Sequence, residues 1–384
     1  MIRRVGRSQV IRRFASFIAL ALMTSACSWF GGGDKKMSPL TEYPATAKAA
    51  LAWQKNVGKR SPIGFAPLLQ GGIVYSASEN GQVVATEMAS RKELWRTAMK
   101  EELSAGVGAG KDGVFVGTRK GEVVALDLSG KQLWRSAVSS DILVAPQAVD
   151  GVVVVRTVDG RMVGLNESDG KRRWLQQRTN PPLVLRNLGA VAAENGVIYA
   201  GMPGGRLMAS KAADGGLVWE ALVSQPRGAT ELERIADVAS APLLDAERVC
   251  AVSYQGRLAC FDAEKGTLDW YRDVSSATGL AKDDKAIYTS DANGVVMGFL
   301  KTGGTSLWKQ DKLKGRKLSG PALFGNYVIV GDVEGVVHLL TRDSGELAAR
   351  IATDKSPIVT PPVATEQGVL VQTEKGNLYA ITIQ

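Results

Sequence analysis

An all-β fold, an eight-bladed β-propeller of four-stranded antiparallel blades, is what three features of this 384-residue sequence predict. One short motif recurs eight times, each copy reads as strands broken by turns, and the chain has a strand to spare at its start and lacks one at its end. The motif is a glycine leading an apolar run: NGQVVAT at Gly81, KGEVVAL at Gly121, DGRMVGL at Gly160, GGRLMAS at Gly205, QGRLACF at Gly256, NGVVMGF at Gly294, EGVVHLL at Gly335 and KGNLYAI at Gly376. Successive intervals are 40, 39, 45, 51, 38, 41 and 41 residues. In the second copy GVFVGT reads as a strand, RKG as a turn, EVVALD as a strand, LSGK as a turn and QLWRSAV as a further strand. Apolar runs bounded by Gly, Asp, Asn and Ser are the expected β pattern, and the turn glycines supply positive φ without a Cβ clash. Another strand precedes each set, as in VAPQAV, SAPLLD and SGPALF. Four strands in about 40 residues, repeated radially, make a propeller blade.

The first residues stand apart from the repeats. Arg3, Arg4, Arg7, Arg12 and Arg13 precede an apolar run from Phe14 to Met23, and Thr24, Ser25 and Ala26 lead to Cys27. A basic start, a short apolar stretch and small residues predict a signal peptide over 1–26, too short in its apolar part to span a bilayer as a helix. Thr-Ser-Ala-Cys resembles a bacterial lipobox, with Thr24 where leucine is usual, and the resemblance implies lipid attachment at Cys27. Ser28, rather than aspartate, implies sorting to the outer membrane. Residues 27–49, with the Gly31–Gly33 triplet, read as a flexible tether with a reach of roughly 25 Å. The propeller is expected over 50–384.

Closure follows from the leftover strand. The last copy, VLVQTEKGNLYAITIQ, has no outermost strand, and ALAWQKNV (Ala50–Val57) has outer-strand character with no blade of its own. Pairing the two completes the eighth blade and removes exposed edges. Thirteen or fourteen residues after each of the first six motif glycines stands a tryptophan: Trp95, Trp134, Trp174, Trp219, Trp270 and Trp308, with Ala349 in the seventh copy. Together with Trp53 of the closing strand these are expected to clamp each blade to its neighbour, burying on the order of 200 Å² apiece. A glycine four residues before the tryptophan recurs at Gly130, Gly170, Gly215, Gly266 and Gly304, and at Gly345 in the seventh copy. Arg91 takes its place in the first, where a different turn is expected.

The two longest intervals carry the functional expectation. Their extra residues follow Trp174 (LQQRTNPPLVLRNLGAV) and Trp219 (EALVSQPRGATELERIADVASAP), in connections that emerge side by side on one face. Long loops on a rigid scaffold commonly carry binding residues. After Pro181-Pro182 the chain is held extended, so Leu183 and Leu185 can point the same way beside Arg186. They either anchor an interface or cover the core between blades.

Other chemistry is sparse. The formal charge of +9 falls to +4 once the five arginines of 1–26 are removed, and the surplus is spread along the chain, with no nucleic-acid signature. His338 is the one histidine, so neither a His-rich metal site nor a zinc-finger spacing exists. Cys250 and Cys260 flank a hairpin; a cross-strand disulfide and two reduced buried thiols are both open.

The repeats DLSGKQLW, ESDGKRRW, AADGGLVW and AEKGTLDW resemble the tryptophan-docking repeats of pyrroloquinoline-quinone dehydrogenases, also eight-bladed propellers. Those enzymes need a quinone sandwich, a calcium held by acidic and amide ligands, and a catalytic Asp. Here the cysteines lie ten apart and few insertions exist to build such a pocket. No catalytic residue, metal or cofactor is therefore assigned. The whole layout, a lipobox signal, a short linker and one minimal propeller, resembles the BamB family, accessory lipoproteins of the outer-membrane β-barrel assembly machinery. That resemblance implies a non-enzymatic periplasmic scaffold, anchored in the outer membrane, that binds the periplasmic domains of BamA and assists outer-membrane protein insertion. Whether unfolded barrel clients are also bound is left open. It further implies that a Leu-x-Leu-Arg segment, matched by Leu183, Leu185 and Arg186, contacts BamA. An Asp-x-Asp pair aligns with Asp237 and Ala239, so the first acid is kept and the second lost; Glu231 or Glu233 would be the substitutes.

Overall fold

Every copy of the repeat forms a sheet of its own. The computed structural model describes residues 37–62, 64–186 and 189–384, and in it eight four-stranded antiparallel sheets follow one another. The expected signal peptide and Cys27 lie outside the described residues. The second blade is typical, with Leu103–Ala109 innermost, then Gly113–Thr118, Glu122–Asp127 and Gln132–Ala137. Blades 1 to 7 span 68–98, 103–137, 147–177, 192–222, 243–273, 280–310 and 322–352. The eighth takes three strands from 363–383 and its outer strand from Ala49–Asn56, which runs antiparallel to Asn377–Ile383. Lys48 and Gln384 exchange backbone hydrogen bonds of 2.9 Å, so the chain ends close the ring on each other. A middle strand has a blade on either side and is buried on both faces, hence runs such as Val152–Arg156. Outer strands are largely exposed around a buried tryptophan, as in Gln132–Ala137.

One arrangement repeats across three strands of most blades. A large residue on the second strand faces a small one on the third, which faces the tryptophan: Tyr75, Ala85 and Trp95, or Tyr288, Gly298 and Trp308. The space over the small residue lets the two rings approach to 6.0 and 5.8 Å between centroids. In blade 5 the places of the large and small residues are taken by Cys250 and Cys260, directly opposed and joined as a disulfide beneath Trp270.

Each of these tryptophans then reaches into the next blade. Trp95, Trp134, Trp174, Trp219, Trp270 and Trp308 donate their indole N–H to Leu128, Glu167, Ala212, Ala263, Lys301 and Arg342 carbonyls at 2.6–2.9 Å. The indole rests on that blade's recurrent glycine. A Cβ at Gly130 would lie 2.6 Å from Trp95, and one at Gly345 would lie 2.3 Å from Trp308, so any side chain there displaces the ring.

Three copies depart from the pattern, each for a visible reason. Arg91 was expected to force a different turn, yet it keeps the same left-handed conformation at φ 63°, with its N–H bonded to Glu87 O as Gly170 is to Asn166 O. It carries a side chain where the later blades offer a glycine, and the facing Trp53 is half-buried, as Trp95 and Trp219 are, against Leu69 and Met88 beside a cleft of about 530 Å³. In blade 7 Ala349 replaces the tryptophan because blade 8 has no turn between its third and outer strands to receive one; the chain ends stand there instead. At Gly256 the left-handed residue is the preceding Gln255, at φ 49°. Glycine is needed there for room rather than for φ, since a Cβ would sit 2.0 Å from Ser253 Oγ.

Residues 38–48, expected to belong to a tether, are instead laid on the ring. Ser38 bonds Lys314 O and receives Arg316, Thr41 and Glu42 receive Arg350, and the Thr46 and Ala47 amides both bond Ala348 O. This strap covers the blade 7 strand that lacks its tryptophan. Arg316, 1% exposed, is also held by Asp332 Oδ2 at 2.6 Å, and Asp332 accepts His338 Nε2 at 2.9 Å. His338 is fully buried in this cluster. Burial alone would raise the Asp332 carboxyl; hydrogen bonds from His338 and the Val336 amide, with the nearby positive charge, hold it below the usual carboxylate range.

Candidate functional site

The two long connections lie against each other on the face where outer strands pass to the next blade. The first, 178–191, leaves blade 3, and the second, 223–242, leaves blade 4. Their junction is Asp237. This carboxylate is 4% exposed and accepts the Leu185 amide at 2.7 Å through Oδ2 and the Gly204 amide at 2.9 Å through Oδ1. Charged acceptors make the stronger hydrogen bonds, so one side chain of the second loop fixes the backbone of the first to a turn of blade 4. Asp237 therefore shapes the face from beneath it. Ala239, where the resemblance implies a second acid, is also buried.

The expected leucine-arginine segment is outermost. Leu183 is 43% exposed, Leu185 is half-buried, and Arg186 is exposed while bonding Asp141 Oδ2 at 2.9 Å. Pro181 and Pro182 ahead of them are exposed too. At the tip of the second loop Glu233 accepts the Ala229 and Thr230 amides at 2.8 and 3.1 Å, and Thr230 Oγ1 accepts the Glu233 amide in return. That reciprocal cap holds a single turn, which uses up Glu233 as a free acid. Glu231 pairs with Arg234 at 3.1 Å. The turn leaves Leu232 65% exposed, an apolar residue on the second loop that the sequence reading passed over.

Arg156 was passed over as well. It follows four valines at the end of the strand Val152–Arg156 of blade 3 and is 5% exposed. Its Nη1 donates to Gly189 O at 2.5 Å and its Nη2 to Gly201 O in blade 4, with Met202 Sδ at 3.8 Å. No carboxylate is among these partners, and burial pushes its pKa down to about 10, which still leaves it charged at neutral pH. The first loop is thus held at both ends, by Asp237 at Leu185 and by Arg156 at Gly189. Between them lies a cavity of about 100 Å³, lined in part by Arg156, Arg161, Asn180, Val184, Leu185 and Arg186.

Comparison with known proteins agrees with this architecture. The family model described as outer membrane protein assembly factor BamB matches residues 45–103, 79–310 and 292–384. Outer membrane protein assembly factor BamB of Bordetella pertussis is 41% identical over 363 residues, covering 94% of this chain and 94% of that protein. Its counterpart in Nitrosomonas eutropha is 42% identical, covering 96% and 94%. Among solved structures, BamB from Moraxella catarrhalis superposes with a TM-score of 0.81 at 25% identity, covering 87% of this chain and all of that one. A europium-containing methanol dehydrogenase gives a TM-score of 0.72 at 13% identity, which reflects the shared propeller alone. Repeat, ring closure and sequence likeness over nearly the full length converge: the chain belongs to the BamB family of outer membrane protein assembly factors, which are not enzymes.

Proposed function

We propose that this propeller is an outer-membrane lipoprotein that scaffolds barrel assembly by binding the periplasmic domains of BamA through the face built by residues 178–191 and 223–242. The observation that carries this reading is the joining of the two longest loops through buried Asp237, which presents Leu183 and Arg186 outward on a fixed backbone. A preorganised segment loses little freedom on association, and an exposed leucine beside an arginine suits an interface anchor. Leu185 contributes through its held amide and half-buried side chain. The family's role in outer membrane protein assembly supports a partner in that machinery rather than a small-molecule substrate.

Anchoring belongs to the same proposal. Cys27 would carry the lipid, and the chain would run from it to Ser38, which docks on the blade 6–7 connection. Equivalent connections emerge on one face, so the strap starts on the face that bears the binding loops. The reading is tested by recovering BamA with the chain from detergent-solubilised membranes, for the wild type and a Leu183/Leu185/Arg186 triple-alanine variant.

A further inference from the structure

The proposed binding face covers a buried cation, Arg156, with no counter-charge among the described residues. Arg156 is among the least exposed charged residues described, yet its partners among them are two carbonyls and a thioether. The neighbouring arginines of the same cavity differ from it: Arg161 has Asp159 at 3.4 Å and Arg186 has Asp141 at 2.9 Å. The third nearby acid, Asp237, is taken up by the Leu185 and Gly204 amides. An unpaired buried charge is costly to a fold, and a guanidinium has five N–H donors in a fork that fits a carboxylate. Two of those donors serve carbonyls here, which leaves others for an anion.

We propose that the cavity beneath residues 180–186 is a seat for a carboxylate, an acidic side chain that the protein partner inserts beside Leu185 so that it pairs with Arg156. The volume of about 100 Å³ suits one such side chain, and the wall of Val184, Leu185 and Met202 would exclude water around the pair. Leucine and arginine on the surface would give the partner its footing, and the cation below would select an acidic residue at one position. This proposal rests on the reading of the face as the partner interface.

The test uses the full mature chain and the soluble periplasmic fragment of BamA, with binding measured by calorimetry at several salt concentrations. Arg156→Met keeps the bulk and removes the charge. It is expected to weaken binding at least tenfold, to make binding less dependent on salt, and to leave the melting temperature equal or higher. Arg156→Lys is expected to stay within about threefold of the wild type, because the charge remains. Wild-type affinity in Arg156→Met overturns the proposal. So does an equal loss in both variants with an unchanged salt dependence, which marks Arg156 as a support for Gly189 only. Leu183→Ala in parallel separates the two claims. If it weakens binding while Arg156→Met does not, the carboxylate seat fails and the face stands. If neither does, the face fails as well.

Discussion

Replacing Asp237 by alanine should loosen the proposed binding face without touching the exposed residues on it. The wild-type carboxylate is buried and holds two amides, Leu185 at 2.7 Å and Gly204 at 2.9 Å. A hydrogen bond to a charged group contributes about 1.5–3 kcal/mol, and the amides left behind would also lose their acceptor. If the segment opens locally, that range corresponds to roughly 10- to 160-fold faster hydrogen exchange at the Leu185 amide in the isolated protein. Asp237→Asn keeps one neutral acceptor oxygen and should fall between. The assay is amide exchange without partner, with the strand amides of Gln132–Ala137 as an internal reference, followed by BamA binding on the same samples. Loose exchange together with weakened binding is the expected pair. If Asp237→Ala loses BamA while Leu185 and Gly204 stay as protected as in the wild type, the carboxylate meets the partner itself, and the positioning role is refuted.

Three other outcomes follow from the same geometry. Trp134→Ala should cost about 3–5 kcal/mol in urea unfolding, because the indole is buried and docked on Glu167 O at 2.8 Å. Gly170→Ala, whose Cβ would lie 2.5 Å from that ring, should damage the same contact, and the double variant should lose less than the sum of the two; full additivity would show that they do not form one clamp. Asp332 has a depressed pKa, so its stabilisation is full above the unfolded carboxylate value near 4 and fades as pH falls through its lower folded value. Asp332→Asn should therefore lose about 3 kcal/mol at neutral pH, by leaving buried Arg316 with Glu334 as its remaining counter-charge, and should flatten the acid limb of stability below the unfolded carboxylate value. An unchanged acid limb in equilibrium denaturation would contradict that assignment. Cys27→Ala should abolish lipid labelling in cells, and label retained in that variant would refute the anchor.

The ring was legible because its cause is periodic. Glycine, apolar run and tryptophan at fixed spacing impose the same turn and the same inter-blade contact each time, and the spare strand around Trp53 could pair only with the last copy. The exceptions were less legible because they depend on neighbours in space. Arg91 tells nothing by itself about the half-buried Trp53 opposite, and Ala349 makes sense only once the chain ends occupy the place of a turn. The Cys250–Cys260 pairing hung on a hairpin register that the turn at Gln255 and Gly256 sets. At the proposed binding face the segment around Leu183 stood out by its length and its prolines. The resemblance to the family pointed to Asp237, but not to its place beneath the face, where it holds backbone amides. Arg156 was hidden because a single arginine after four valines is indistinguishable, in one dimension, from the exposed end of a strand.

The central claim is that the leucine-arginine segment held over Asp237 is the BamA-binding surface. Co-purification from detergent-solubilised membranes tests it most directly, with the Leu183/Leu185/Arg186 triple-alanine variant compared with the wild type at equal expression and equal melting temperature. The account predicts that BamA recovered with the variant falls at least tenfold while the propeller stays folded. Equal recovery of BamA by the two would contradict it.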